Sequence, residues 1–138
     1  MQPSCPRVFV YGTLQRGEER DTMWPCQPTK VEYATLRGRL YDLGQYPALL
    51  DGDDLIEGEL WHFKERQMSL TLDALDEIEC YGNDDVDLYI RRVVSVKTKC
   101  GQDLDAHTYF FANPDELAVV RVVQPNEHGI CRWHRYFE

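Results

Sequence analysis

Apolar and polar residues alternate strictly over 34–40, where Ala34, Leu36, Gly38 and Leu40 are separated by Thr35, Arg37 and Arg39. A period of two is half-buried only on a strand, because successive side chains there point to opposite faces. Similar patterning recurs from Val8 to Tyr11, Leu55 to Phe63, Tyr89 to Val96 and Leu104 to Ala112. Breakers at Asp51-Gly52-Asp53, Gly82-Asn83-Asp84 and Asn113-Pro114 separate the runs. The strands follow one another instead of alternating with helices, which predicts an α+β fold on a mostly antiparallel or mixed sheet, curled towards a barrel. The 138 residues suffice for one core and are too few for two, so residues 1–138 are read as a single domain.

One helix is predicted, from Gln67 to Glu79. At about 100° per residue, Met68, Leu72 and Leu75 share a stripe, and Asp73 and Glu77 fall away from it. Glu79 lands within the stripe, seven residues after Leu72 and four after Leu75. Burial disfavours its anion, as does the negative end of the helix dipole, and both effects make it a proton-exchanging acid. The ordinary alternative is a terminal glutamate turned to water or paired with Arg91 or Arg92. A second helix from Pro114 to Val123, capped by Asn113, also fits the pattern.

The run Val8-Phe9-Val10-Tyr11 breaks at Gly12 and releases Thr13-Leu14-Gln15-Arg16-Gly17. Such a loop brings backbone N–H groups and the Thr13 hydroxyl to a ligand, although many strands simply end in a tight turn. Tyr46, restrained by Pro47, is placed to wall a pocket or to serve as a surface aromatic. Arg91 either meets a carboxylate or braces the acidic helix, the second being favoured. Tyr109, Phe110 and Phe111 read as core strand residues.

With 15 Lys+Arg against 24 Asp+Glu, the net charge of −9 opposes general binding to nucleic acid or to an anionic membrane. Lys97-Thr98-Lys99 and Arg91-Arg92 read as solvated strand positions. Cys5, Cys26, Cys80, Cys100 and Cys131 are odd in number and lack CxxC spacing, so reduced thiols and a cytoplasmic setting are expected, with no zinc site. No apolar window approaches a membrane span and no secretory leader is evident. Asp84-Asp85-Val86-Asp87 lacks the glycine and distal glutamate of a calcium loop. His62, His107, His128 and His134 show no metal-ligand spacing, so no metal is expected. If Cys80 faces a pocket beside Glu79, its oxidation would block that pocket.

Five motifs in order, Tyr11-Gly12-Thr13-Leu14 with Arg16-Gly17, Tyr46-Pro47-Ala48, Gly58-Glu59-Leu60, Leu75-Asp76-Glu77-Ile78-Glu79-Cys80-Tyr81 and Tyr89-Ile90-Arg91, resemble the γ-glutamylcyclotransferase-like superfamily. The branch is that of γ-glutamylamine cyclotransferase, the plant AIG2-like proteins and bacterial YtfP and BtrG. The resemblance implies a small, mixed, barrel-like sheet around a pocket. It also implies a γ-glutamyl group held by Tyr11, Gly12, Thr13 and Leu14, and Glu79 as the acid/base. Asp76 is the weaker choice, lying at the edge of the stripe without the following Tyr81.

The implied reaction is intramolecular aminolysis of a small γ-glutamyl substrate to 5-oxoproline, without a cofactor. A non-catalytic binding protein that keeps the pocket is the alternative. The segment Arg121–Glu138 departs from the family pattern and is expected to influence the choice of leaving group.

Overall fold

The computed structural model describes residues 5–44, 46–79, 88–117 and 120–133. The strands are β1 (Arg7–Val10), β2 (Lys30–Asp42), β3 (Pro47–His62), β4 (Tyr89–Thr98), β5 (Asp103–Phe111), β6 (Arg121–Val122) and β7 (Ile130–Cys131), and the α-helix is α1 (Met68–Ile78). They form one sheet in the order β6-β2-β4-β5-β1-β3-β7. A further pairing of β2 with β3 closes β2, β4, β5, β1 and β3 into a five-stranded barrel. Most neighbours run antiparallel, but β1–β5 and β3–β7 are parallel, so the sheet is mixed. The expected α+β barrel-like architecture is the one observed. Among the described residues no helix is long and apolar enough to cross a membrane.

Alternation along β1 explains how the barrel and helix share it. Phe9 and Tyr11 join Leu36, Leu40, Leu49, Ile56, Leu60, Val96 and Phe110 in one buried cluster. Val8 and Val10 join Trp61, Phe63, Met68, Leu75, Tyr109 and Phe111 in a second, against α1. With both faces covered, the strand is apolar from Val8 to Val10. Gly58 is the residue of β3 that lets β1 approach: a Cβ there would collide with the Val10 carbonyl and lie 2.8 Å from the Phe9 ring.

Three expectations are corrected. Asp51-Gly52-Asp53 does not end a strand, because β3 continues through it and the register against β2 slips between Gly38 and Arg39. Gly52 packs so closely on Gly38 and Arg39 that a Cβ would stand 2.8–3.0 Å from their atoms, so the three residues form a bulge. The helix expected over 114–123 is instead a 3-10 turn at Pro114–Leu117 followed by β6, consistent with the β-branched residues at its end. The 3-10 turn Glu65–Gln67 and then α1 take the place of the longer predicted helix, and Glu79 caps its C-terminus. Cys80, Tyr81, Gly82, the run Asp84-Asp85-Val86-Asp87 and His134 lie outside the described residues.

Candidate functional site

Where β1 ends, α1 ends and β3 begins, the barrel surface opens into a cavity of about 610 Å³, its mouth included. Tyr11, Gly12, Thr13, Leu14, Tyr46 and Glu79 all line it. Arg20, Leu88, Tyr89 and Tyr109 complete much of the remaining wall. The loop and carboxylate, 65 or more residues apart in sequence, therefore occupy one chamber.

α1 delivers Glu79 at its last turn, where the Glu79 N–H still donates to the Leu75 carbonyl at 2.8 Å. Burial of the carboxyl raises its pKa from 4.5 to about 7, against the opposing pull of the Arg20 guanidinium. It therefore gains and loses a proton near neutral pH. Asp76 is committed elsewhere: it accepts from Arg91 Nη1 at 3.1 and 2.9 Å and from the Tyr109 hydroxyl at 2.6 Å. Arg91 thus braces the helix, and Asp76 does not line the cavity.

Three tyrosines surround Glu79 electrostatically. Burial first, then the charges of Tyr89 and Glu79, lift the Tyr11 phenol well above its ordinary value. Burial and Glu79 do the same to Tyr89, and burial with the Asp76 hydrogen bond to Tyr109. All three stay neutral hydroxyls and are already engaged as donors. Tyr11 donates to the Tyr109 carbonyl at 2.5 Å, Tyr89 to the Pro47 carbonyl at 2.6 Å and Tyr109 to Asp76. These bonds tie the cavity walls together.

The loop after β1 is held from outside. Glu59, buried on β3, accepts from Arg16 N–H at 2.9 Å, Arg16 Nε at 2.8 Å and Trp61 Nε1 at 3.2 Å. Trp24 Nε1 donates to the Leu14 carbonyl at 3.0 Å, and its ring stacks on Trp61 with centroids 4.1 Å apart. Arg20 N–H donates to the Thr13 carbonyl at 2.8 Å. Among the described residues the N–H groups of Gly12, Thr13 and Leu14 and the Thr13 hydroxyl have no protein partner. Backbone donors left unpaired at a cavity wall are ready for an oxygen atom of a ligand.

Gly12 serves a purpose the sequence reading missed. A Cβ there would lie 2.7 Å from both Cγ and Cδ of Pro47, so the glycine accommodates the Pro47 ring. Gly12→Ala is therefore expected to push Pro47 and Tyr46 outward and cost about 1–3 kcal/mol, read as a lowered urea midpoint. Other omissions were Arg20, Glu59, Trp24 and the cavity face of Tyr109. The Gly58-Glu59-Leu60 motif was noted, but nothing local in it reveals that Glu59 reaches Arg16 across 43 positions. The described part of Arg121–Glu138 packs on the barrel. β6 pairs with Tyr41 and Asp42, β7 with Leu55 and Ile56, and none of 121–133 lines the cavity. Nor, among the described residues, do three or more His, Cys, Asp or Glu side chains gather as a metal-binding group.

Among the described residues, a closed barrel, a helix against it, a strand-end loop and a helix-terminal glutamate share one cavity. The family model described as γ-glutamyl cyclotransferase, AIG2-like, matches residues 8–130, and the chain belongs to this family. It is 33% identical over 115 residues to the Niallia circulans γ-L-glutamyl-butirosin B γ-glutamyl cyclotransferase, covering 81% of this chain and 70% of that protein. A relative from Vibrio cholerae is 39% identical over 77 residues, which span 51% of this chain and 62% of that protein, less than two thirds of its length. The crystal structure of a mouse AIG2-like protein has the same fold, with a TM-score of 0.63, 19% identity and coverage of 99% of this chain and 100% of that one.

Proposed function

We propose that this protein is a γ-glutamyl cyclotransferase that releases 5-oxoproline from a small γ-glutamyl amine or conjugate. The observation that carries the reading is the convergence of Glu79, with its pKa near 7, and the unpaired Gly12–Leu14 amides on one cavity. In this reading Glu79 removes a proton from the substrate α-ammonium. The freed amine forms a C–N bond to its own γ-carbonyl, whose oxygen takes negative charge and is met by the loop amides. The C–N bond to the leaving group then breaks as Glu79 returns that proton to the departing nitrogen; Glu79 next takes the second proton from the new ring nitrogen, leaving the neutral lactam, and the released amine carries that proton away as its ammonium. The product amine leaves with its bonding electron pair, and no covalent enzyme intermediate is needed.

A carboxyl titrating near the working pH suits both transfers, because it is neither too weak a base nor too reluctant an acid. The ring closure is intramolecular, so the remaining task is to hold the folded substrate, which a walled cavity does. The Niallia relative's name supports a small conjugate as the class of substrate.

The test is mass-spectrometric detection of 5-oxoproline after incubation with γ-glutamyl amines, amino acids and amino sugars. Release from at least one member is expected. Thermal stabilisation by 5-oxoproline without turnover of any member would instead identify a binding protein.

A further inference from the structure

Resting on that reading, a second residue acquires a role. Among the described residues the cavity wall carries two charged side chains, Glu79 and Arg20; the rest of the wall is alkyl, aromatic, hydroxyl or backbone. The γ-glutamyl head carries the complementary pair, an ammonium and a carboxylate on the same carbon. The ammonium must approach Glu79 to lose its proton, which forces the carboxylate close to the same glutamate. Once Glu79 is ionised the two anions repel, and a nearby cation is required to keep the substrate bound.

Arg20 is built into that position. Its N–H is tied to the Thr13 carbonyl at 2.8 Å and its carbonyl accepts from Met23 N–H at 3.0 Å, so its backbone moves with the loop that bears the unpaired amides. It immediately precedes the 3-10 turn Asp21–Met23. Its charge acts on the carboxyl of Glu79 and on Tyr89 across the cavity. Guanidinium is also the side-chain group best shaped to receive a carboxylate by two parallel hydrogen bonds.

We propose that Arg20 receives the α-carboxylate of the γ-glutamyl group and restricts the enzyme to substrates in which that carboxylate is free. α-Amides and α-esters of the same compounds are then poor substrates, whatever their leaving group. Arg20 thereby reads the head of the substrate, while the uncharged Tyr46, Pro47 and Leu88 are left to face the remainder.

The test compares 5-oxoproline, which retains this carboxylate, with 5-oxoprolinamide, which does not. Binding of each is measured by calorimetry to the wild type, Arg20→Gln and Arg20→Lys, with circular dichroism confirming that the variants fold. The wild type is expected to prefer the acid by about 10- to 100-fold, the usual value of a hydrogen bond to a charged group. Arg20→Gln should lose this preference through weaker binding of the acid alone, and Arg20→Lys should keep part of it. Preference surviving in Arg20→Gln, or absent from the wild type, overturns the assignment. If the wild type still releases 5-oxoproline, Arg20 alone has been misassigned; if it neither releases nor binds 5-oxoproline, the functional reading falls as well.

Discussion

Glu79→Gln is expected to reduce 5-oxoproline release by about 10²–10⁴-fold, the usual worth of a positioned general acid/base. Glutamine preserves the size of the side chain and its ability to hydrogen-bond, but it cannot accept the α-ammonium proton. The loop amides remain, so residual turnover above the uncatalysed rate is expected, with substrate binding altered far less than kcat. In the wild type, kcat/KM should rise with pH through about 7, where Glu79 becomes the base. Burial sets this limb high, and the Arg20 guanidinium draws it down. Activity retained within twofold in Glu79→Gln would exclude this residue as the acid/base.

The same substitution should have the opposite sign in stability. Glu79 binds its proton more tightly in the folded chain, at about 7, than at its ordinary value of 4.5. The stability associated with this site is therefore complete below about pH 4.5 and is lost as pH rises through 7. The shift corresponds to on the order of 3 kcal/mol at pH 8, less whatever the open mouth of the cavity screens. Glu79→Gln removes the buried charge without emptying its space. Its melting temperature should exceed that of the wild type at pH 8 and match it at pH 4. A lower melting temperature at pH 8 would mean that the ionised carboxylate is stabilised in the folded protein, contrary to the cavity electrostatics.

The barrel was legible because strand periodicity is local: Ala34 through Leu40 and Leu104 through Ala112 alternate whatever they pair with. The position of Glu79 was legible for a related reason, since a carboxylate on an apolar helical stripe conflicts with its own neighbours, and the fold sets it on the cavity wall. Asp51-Gly52-Asp53 misled because its residues also favour turns, and only packing of Gly52 against Gly38 and Arg39 makes them a bulge. That Gly12 also makes room for the Pro47 ring was not legible, because that ring is 35 residues away. Arg20 was missed altogether. It sits in a charged run, Glu18-Glu19-Arg20-Asp21, which reads as a solvated turn until the Thr13 hydrogen bond brings it to the cavity. Long-range placement, not residue chemistry, separates what the chain shows alone from what the fold adds.

Glu59→Ala is expected to cost about 2–4 kcal/mol of stability and to impair catalysis beyond that loss. The carboxylate is 3% exposed and supplies the acceptors for Arg16 N–H, Arg16 Nε and Trp61 Nε1. Alanine leaves the buried Trp61 donor unpaired, and desolvation of that group makes up much of the cost. Water replaces part of the Arg16 interaction, because the arginine side chain is half exposed. The catalytic consequence comes from geometry. Arg16 follows the Gly12–Leu14 amides by only two residues, and its N–H is the point at which the loop is fastened to β3. Once unfastened, the loop holds its place on the cavity wall less firmly, and a misplacement of about 1 Å can cost roughly 10²-fold in rate. Urea unfolding supplies the first number, and kinetics at a temperature where both proteins are fully folded supply the second. Glu59→Gln, which keeps one acceptor oxygen, should fall between alanine and wild type in both. If Glu59→Ala is destabilised but retains wild-type kcat and KM while folded, Glu59 supports the barrel without setting the loop.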